Sequence, residues 1–358
     1  MFYRVSGQYK TSYAADQALF PVRQDLYLLA IILAFAYVVL PLTVSEFTFR
    51  AILMPMLVFT MASLGLNVLT GYAGQLSLGT GAFMGVGAYA CYKLVTLVPE
   101  MNLVVAILLS GLPAAIIGVA FGIPSLRIKG FYLAIATLAA QFFLVWLFQK
   151  WAWLYNHNTS GAIEVPTIEM FGVLVTGPNA DPMMQYYFLL VFVTVFALGM
   201  MNVSRARYGR MWKAVRDFDI AAELIGINLM HAKLTAFAVS SYIIGVAGAL
   251  MVFLWKGAAE ANLFDIGLSF EILFIAIIGG LGSVLGNFLG AALMVALPVI
   301  INLVPEALGL GIESATLEHV NLMIIGALII FFLIVEPHGL ARLWQMLREK
   351  LVLWPFPH

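Results

Sequence analysis

The stretch NVLTGYAGQLSLGTGAFMGVGAYA, residues 67–90, restricts the kind of fold that this chain can adopt. It is apolar enough to enter a membrane, yet six glycines alternate in it with asparagine, glutamine, threonine and serine. Irregular backbone at membrane depth is stable only inside protein or beside a watery cavity. The stretch therefore predicts a broken or re-entrant helix within a bundle. We expect Asn67, Gly74, Gln75 and Ser77 to line a pathway, with packing through small residues as the alternative.

The composition of the whole chain predicts a membrane protein. Of its 358 residues, 63% are hydrophobic and 10% are charged, and the mean hydropathy is +1.00. Because a soluble domain carries roughly 25% charged residues, this chain has too few to cover a water-facing surface. Its one cysteine, Cys91, excludes an intrachain disulfide and suits a small buried side chain. We expect an all-α, polytopic bundle.

Ten apolar segments are candidate membrane helices, since a crossing takes roughly 20 residues. A broken hairpin is expected around the eighth and ninth of them, where Gly279, Gly280, Gly282 and Gly286 allow close packing. This second glycine-rich stretch occupies the same position in its half of the chain as residues 67–90, which hints at an internal duplication. The ten segments are residues 26–44, 50–69, 78–98, 102–123, 131–148, 186–202, 233–255, 269–281, 285–303 and 321–335.

The distribution of lysine and arginine predicts the orientation of these spans. With both termini in the cytoplasm, 14 of the 18 basic residues fall in cytoplasmic segments and 3 in outer ones, and Lys93 lies near the outer end of a span. Basic residues favour the cytoplasmic side, so this orientation is expected. The chain then divides into a cytoplasmic N-terminal segment 1–25, a transmembrane domain 26–340 with an outer loop 149–185 and a cytoplasmic loop 203–232, and a cytoplasmic tail 341–358.

Few side chains that could carry a proton, bind an ion or contact a solute lie within the spans. Glu271 is at the outer end of its span, where a hydrated rim carboxylate is expected rather than an ion relay. Thr137 and Gln141 lie four residues apart on one face of the fifth span. Their side chains could contact a solute or a neighbouring helix, and the sequence leaves both alternatives open. The sequence has no phosphate-binding loop, HExxH or GxSxG motif. Neither catalysis nor a metal site is predicted.

RARYGRMWKAVRDFDIAAELIGINLMHAK, residues 205–233, is the most basic stretch of the chain. Asp217 and Asp219 can cap a short helix that Gly226 would end. Attraction to anionic lipid explains the positive charge but not this order of residues. A short capped helix with an apolar stripe is suited to a groove on another protein. The stripe consists of Ile220, Leu224 and Ile227.

Five stretches, taken together, give a family resemblance that covers about residues 55–345 in order. The chain resembles the permeases of bacterial branched-chain amino acid ABC importers, in particular the LivM-type subunit. The stretches are SLGLNVLTGYAGQLSLGTGAFMGVGAYA, RIKGFYLAIATLA, GRMWKAVRDFDIAAELIGINLMHAKLTAFAVSSYIIGVAGAL, IIGGLGSVLGNFLGAAL and EPHGLARLW.

The resemblance implies a permease subunit of the bacterial inner membrane that is not itself an enzyme and binds no cofactor. It implies a LivH-like second permease, two cytoplasmic ATPase subunits that use ATP and magnesium, and a periplasmic substrate-binding protein. It assigns ATPase coupling to Arg216, Asp219, Glu223, Leu224 and Gly226.

The resemblance leaves the substrate open, because the family also imports urea, amides, and aromatic or other carboxylates. The outer loop 149–185 departs from the family's pattern. An ion-coupled secondary transporter is the distant alternative, and it predicts carboxylates within the spans.

Overall fold

The computed structural model describes residues 11–12, 23–125, 131–170, 172–307, 314–335 and 339–353. The described part is built mainly of helices, of which we number thirteen in chain order. They are α1 Gln24–Thr43, α2 Glu46–Tyr72, α3 Thr80–Leu97, α4 Leu103–Ser125, α5 Phe131–Lys150, α6 Pro182–Arg205, α7 Arg207–Asp217, α8 Asp219–Leu224, α9 Leu229–Lys256, α10 Ile266–Gly279, α11 Val284–Ala307, α12 Ser314–Val335 and α13 Gly339–Leu353.

The helices match the apolar segments of the sequence. Eight helical stretches of the described residues are long and apolar enough to cross a membrane. The third and tenth predicted spans are also helical, as α3 and as α12, which contains the shorter apolar stretch His319–Phe332. The all-α polytopic class is therefore confirmed. The count of ten crossings and the side of each terminus stay predictions.

Two central helices, α2 and α9, carry the core, and 83% of the apolar window of each is buried. Helix α9 contacts α3 through glycines. A Cβ added to Gly248 would lie 1.9 Å from the Met84 carbonyl oxygen, and one added to Gly87 would lie 2.0 Å from that of Gly245. Because the backbones touch there, the glycines of residues 80–90 serve helix packing.

Helix α1 lies at the edge of the bundle, with only 6% of its apolar window buried. It is held against α6 by tyrosine hydroxyls. Tyr186 Oη donates to the Ala36 carbonyl oxygen at 2.9 Å, and Tyr187 Oη donates to that of Tyr37 at 3.1 Å. Most of the surface of α1 therefore faces lipid or another subunit.

The outer loop folds onto the end of α9. In this loop β1, Ile163–Glu164, pairs antiparallel with β4, Ala258–Ala259, which follows α9 directly. A second antiparallel pair joins β2, Glu169–Met170, to β3, Val173–Leu174. With 28 residues, α9 is about 42 Å long at 1.5 Å per residue, so the loop lies far from the segment that precedes α9.

Lys93, expected to reach the outer surface, is buried beneath this loop. Its Nζ donates to Asn156 Oδ1 and lies 4.2 Å from the centroid of the Trp153 ring. An ammonium group over an indole ring is stabilised by a cation–π interaction. Lys93 thus ties the end of α3 to the loop.

Candidate coupling site

The chain is interrupted between α2 and α3 at residues 73–79, which we call the first break. Helix α2 ends in a π-helical turn, Val68–Tyr72. The Gln75 N–H turns back to the Leu69 carbonyl oxygen at 2.9 Å, and Gly74 has φ +68°. A left-handed glycine is a common way to end a helix. The predicted break is present, and it follows a complete 27-residue crossing rather than dividing one.

The pathway candidates of the first break differ in their surroundings. Gln75 and Ser77 are buried, whereas Gly74 is exposed. Ser77 Oγ accepts from the Gly79 N–H at 3.4 Å. Gln75 Oε1 is buried and has no hydrogen-bond partner among the described residues. A buried amide oxygen without a partner is costly, and Gln75 is the residue of this set most available for a new contact.

A second break, residues 280–283, separates α10 from α11. A Cβ added to Gly279 would lie 2.2 Å from the Gly286 carbonyl oxygen, and one added to Gly286 would lie 2.4 Å from that of Gly279. Gly280 and Gly282 have φ of +112° and +83°. The two helices form a hairpin with touching backbones, which is the arrangement that the glycine pattern predicts.

The two breaks meet at Asn67, which is 1% exposed. Asn67 Oδ1 accepts from the Gly282 N–H at 2.7 Å, and its Nδ2 donates to the Ser283 carbonyl oxygen at 3.2 Å. One side chain of α2 therefore satisfies the backbone of the second break. Asn67, predicted in the pathway, lies at the junction of the two glycine-rich segments.

Thr137 and Gln141 are wholly buried and support the start of α3. Thr137 Oγ1 accepts from the Leu78 N–H at 2.9 Å. Gln141 Oε1 accepts from the Ala82 N–H at 2.7 Å, and its Nε2 donates to the Phe264 carbonyl oxygen at 2.6 Å. The first N–H groups of a helix lack partners within that helix, and Gln141 supplies an acceptor for one of them, whereas Thr137 holds the backbone just before the helix. The geometry favours the helix-contact alternative for both residues.

We call the segment α7–α8, residues 207–226, the coupling segment, after the role that the family resemblance implies for it. Its helix α7 is anchored to α9. Trp212 is 1% exposed and its Nε1 donates to Thr235 Oγ1 at 3.1 Å. Lys213 Nζ donates to the Ser204 carbonyl oxygen at 3.1 Å. Burial lowers the pKa of the Lys213 ammonium below its usual value, and the charge of Arg216 lowers it further. The sequence analysis did not single out Trp212, although it is the one tryptophan of a basic stretch.

The far end of the coupling segment exposes four large apolar side chains, which we call the apolar tip. Leu224 is 84% exposed, the most of the four. Ala222, between them in sequence, is buried, and Glu223 is exposed beside them. Large apolar side chains that are exposed together at the surface of a protein mark a binding site for another protein. The apolar tip consists of Phe218, Ile220, Leu224 and Ile225.

The helix signals of the coupling segment are partly as expected. Gly226 has φ +88°, so it ends α8 in the left-handed conformation, as predicted. The predicted caps differ, because Phe218 precedes α8 without a side-chain cap and Asp219 Oδ1 accepts from the Ile220 N–H at 2.9 Å. Asp217 instead pairs with its neighbour Arg216 at 2.8 Å.

Arg216 lies apart from the apolar tip. Its Nη1 donates to the Gly71 carbonyl oxygen at 2.7 Å, at the end of α2. Of the five residues assigned to coupling, Glu223, Leu224 and Gly226 lie exposed at the far end of the segment, whereas Arg216 contacts the transmembrane bundle. No local sequence pattern could show this contact, because its partners are 145 residues apart.

The family model and two of the curated relatives that match this chain agree on one family. The family model described as "Branched-chain amino acid transport system / permease component" matches residues 48–333. The high-affinity branched-chain amino acid transport system permease protein LivM of Escherichia coli (strain K12) is 28% identical over 353 residues, which covers 93% of this chain and 77% of that protein. The probable LivM of Methanocaldococcus jannaschii is 26% identical over 246 residues, covering 66% and 68%. No solved structure matches the chain.

The match over residues 48–333 defines a transport permease, which is a transport component and not an enzyme. The chain belongs to the permease family of branched-chain amino acid transport systems. It is a multi-pass protein of the bacterial inner membrane. Permeases of this family act in ABC importers, together with ATPase and substrate-binding partners.

Proposed function

We propose that this chain and a LivH-like second permease form the translocation pathway for branched-chain amino acids. The observation that carries the proposal is the apolar tip, which stands exposed at the end of an anchored segment. The distribution of lysine and arginine predicts that this segment is cytoplasmic. Two cytoplasmic ATPase subunits bind beneath the pair of permeases and use ATP and magnesium, and the apolar tip is this chain's contact with them. This chain binds no cofactor. A periplasmic binding protein delivers the solute at the opposite end of the bundle, beside the outer loop.

The chemistry of the tip suits a protein groove better than a lipid surface. Four large apolar side chains next to Glu223 expose surface whose removal from water on binding is favourable. A carboxylate beside them is repelled by anionic headgroups. Short helices with apolar anchors bind in grooves of partner proteins, so we assign the tip to the ATPase subunits.

The substrate class follows from the relatives named above, whose names refer to branched-chain amino acids. Urea, short amides, and aromatic or other carboxylates are the alternatives within the same family. Asn67, Gly74, Gln75 and Ser77 remain the pathway candidates. Family membership argues against an ion-coupled secondary transporter.

Uptake of labelled leucine tests the proposal. Proteoliposomes would contain this chain with the second permease, both ATPases and the binding protein, and a matched set would lack this chain. ATP-dependent uptake that requires the chain is expected. If excess urea or aromatic acid competes with leucine, and isoleucine and valine do not, the substrate class is that of the competing solute and not branched-chain amino acids. No ATP-dependent uptake of any of these solutes by the complete set would contradict the proposal.

A further inference from the structure

The side of α7 that faces the bundle makes contact with the first break through Arg216. The guanidinium Nη1 donates to the Gly71 carbonyl oxygen at 2.7 Å. The stem of the side chain packs on Gly74, where an added Cβ would lie 2.7 Å from Arg216 Cγ. Head and stem of one arginine thus cover the end of α2.

The Gly71 carbonyl is available to this arginine because α2 ends there. In a continuing α-helix, Gly71 would accept from the N–H four residues later, that of Gln75. The Gln75 N–H is directed to Leu69 instead, at 2.9 Å. The guanidinium takes the place of the missing helical donor, and a charged donor makes a stronger hydrogen bond than a neutral one.

The same cluster includes the second break. A Cβ added to Gly71 would lie 2.4 Å from the Gly282 nitrogen. A Cβ added to Gly282 would lie 3.7 Å both from Arg216 Nη1 and from the Gly71 carbonyl oxygen. The guanidinium of the coupling segment is therefore next to both breaks at once.

On the side of the coupling segment, Arg216 and its helix α7 make further contacts. Arg216 Nε and Nη2 lie 2.9 Å and 2.8 Å from Asp217 Oδ1, so the neighbouring carboxylate fixes the guanidinium. Trp212, one helical turn earlier, anchors the same helix to α9. The apolar tip begins two residues after Arg216, at Phe218. A displacement of the tip acts on the guanidinium through one short turn of chain.

We propose that Arg216 is a positioning residue that transmits movement of the coupling segment to the two glycine-rich breaks. This rests on the proposed function, in which ATPase subunits move the apolar tip. Arg216 acts on the permease side of the segment and does not contact the ATPase. Movement of the tip shifts the guanidinium, and with it the end of α2 and the turn at Gly282. A contiguous set of contacts of this kind can couple two distant sites.

The test separates coupling from assembly. The complete transporter would be reconstituted with wild-type chain, Arg216→Met, which keeps the stem and removes the donors, or Arg216→Lys. Arg210→Met is the matched control, because Arg210 lies on the same helix and its Nη1 donates to the Arg205 carbonyl oxygen at the end of α6, at 2.6 Å. ATP hydrolysis, labelled-leucine uptake and bound ATPase are measured on each sample.

Arg216→Met should keep its ATPase subunits and its hydrolysis, while uptake per ATP hydrolysed falls about tenfold, a typical size for coupling between sites. Arg216→Lys, with one donor on a shorter side chain, should recover part of that ratio. Arg210→Met should match the wild type. Wild-type uptake is measured in parallel. Its absence would show that the proposed function fails, independently of the role of Arg216.

Three results would overturn the proposal while wild-type uptake stands. The first is an unchanged uptake-to-hydrolysis ratio in Arg216→Met. The second is loss of bound ATPase, which would make Arg216 an ATPase contact. The third is Arg216→Lys no better than Arg216→Met. If Arg216→Met does not insert, Gly74→Ala gives an independent test, because its Cβ would displace the Arg216 stem, and an unchanged ratio there has the same consequence.

Discussion

At the scale of single residues, α3 and α9 pack with their backbones in contact. The carbonyl of Met84 leaves no space for a side chain at position 248. Gly248→Ala should therefore destabilise the permease by about 1–3 kcal/mol, the usual effect of overpacking a core. Thermal unfolding in detergent measures it. Gly199→Ala in α6 is the control, since an added Cβ there meets no atom within 4 Å; equal stability of the two variants would refute the packing.

Thr137 distinguishes a structural role from a pathway role. Thr137→Val keeps the shape but leaves the partly buried Leu78 N–H without the Thr137 acceptor, which costs about 1–3 kcal/mol. We expect a lower unfolding temperature and an unchanged KM for uptake. Thr96→Val is the control, because Thr96 Oγ1 donates to carbonyls of its own helix. A changed KM with unchanged stability would restore Thr137 to the pathway.

At the scale of elements, Gly226 ends α8 through its backbone conformation alone. An added Cβ meets nothing within 4 Å, but φ is +88°, where a β-branched residue costs about 1–3 kcal/mol. Gly226→Val should insert normally and lose most uptake, because the apolar tip changes its orientation. Gly226→Asn should keep uptake, since asparagine tolerates this conformation. Normal uptake by Gly226→Val at wild-type expression would contradict the role of α8.

The elements also show which features the sequence could predict. Runs of apolar residues predict ten helices, and glycine at 226, 279 and 286 predicts a terminus and a hairpin, because these signals are local. The partners of Gln141 and Arg216 were not predictable, because they lie 59 to 145 residues away. The cap predicted at Asp217 was misplaced for a related reason. A carboxylate next to an arginine pairs with it instead of capping a helix, and that arginine is fixed by tertiary contact.

At the scale of the whole molecule, the predicted orientation places the outer loop and the coupling segment on opposite sides of the membrane. Ser160→Cys and Ala221→Cys would each introduce an exposed thiol, while Cys91 is buried. A membrane-impermeant maleimide should label Ser160→Cys from the periplasmic side, and Ala221→Cys only after permeabilisation. The reverse pattern, or labelling of both from one side, would contradict the orientation.

The central claim is that the apolar tip holds the ATPase subunits. Its most direct measurement is the amount of ATPase that co-purifies with the permease from membranes containing the complete transporter. Leu224→Asp, which places a charge on the most exposed apolar side chain of the tip, should reduce bound ATPase about tenfold or more, as loss of a binding hot spot does. Gln345→Asp, on exposed α13, should bind as the wild type does. Full ATPase binding by an inserted Leu224→Asp permease would contradict the account.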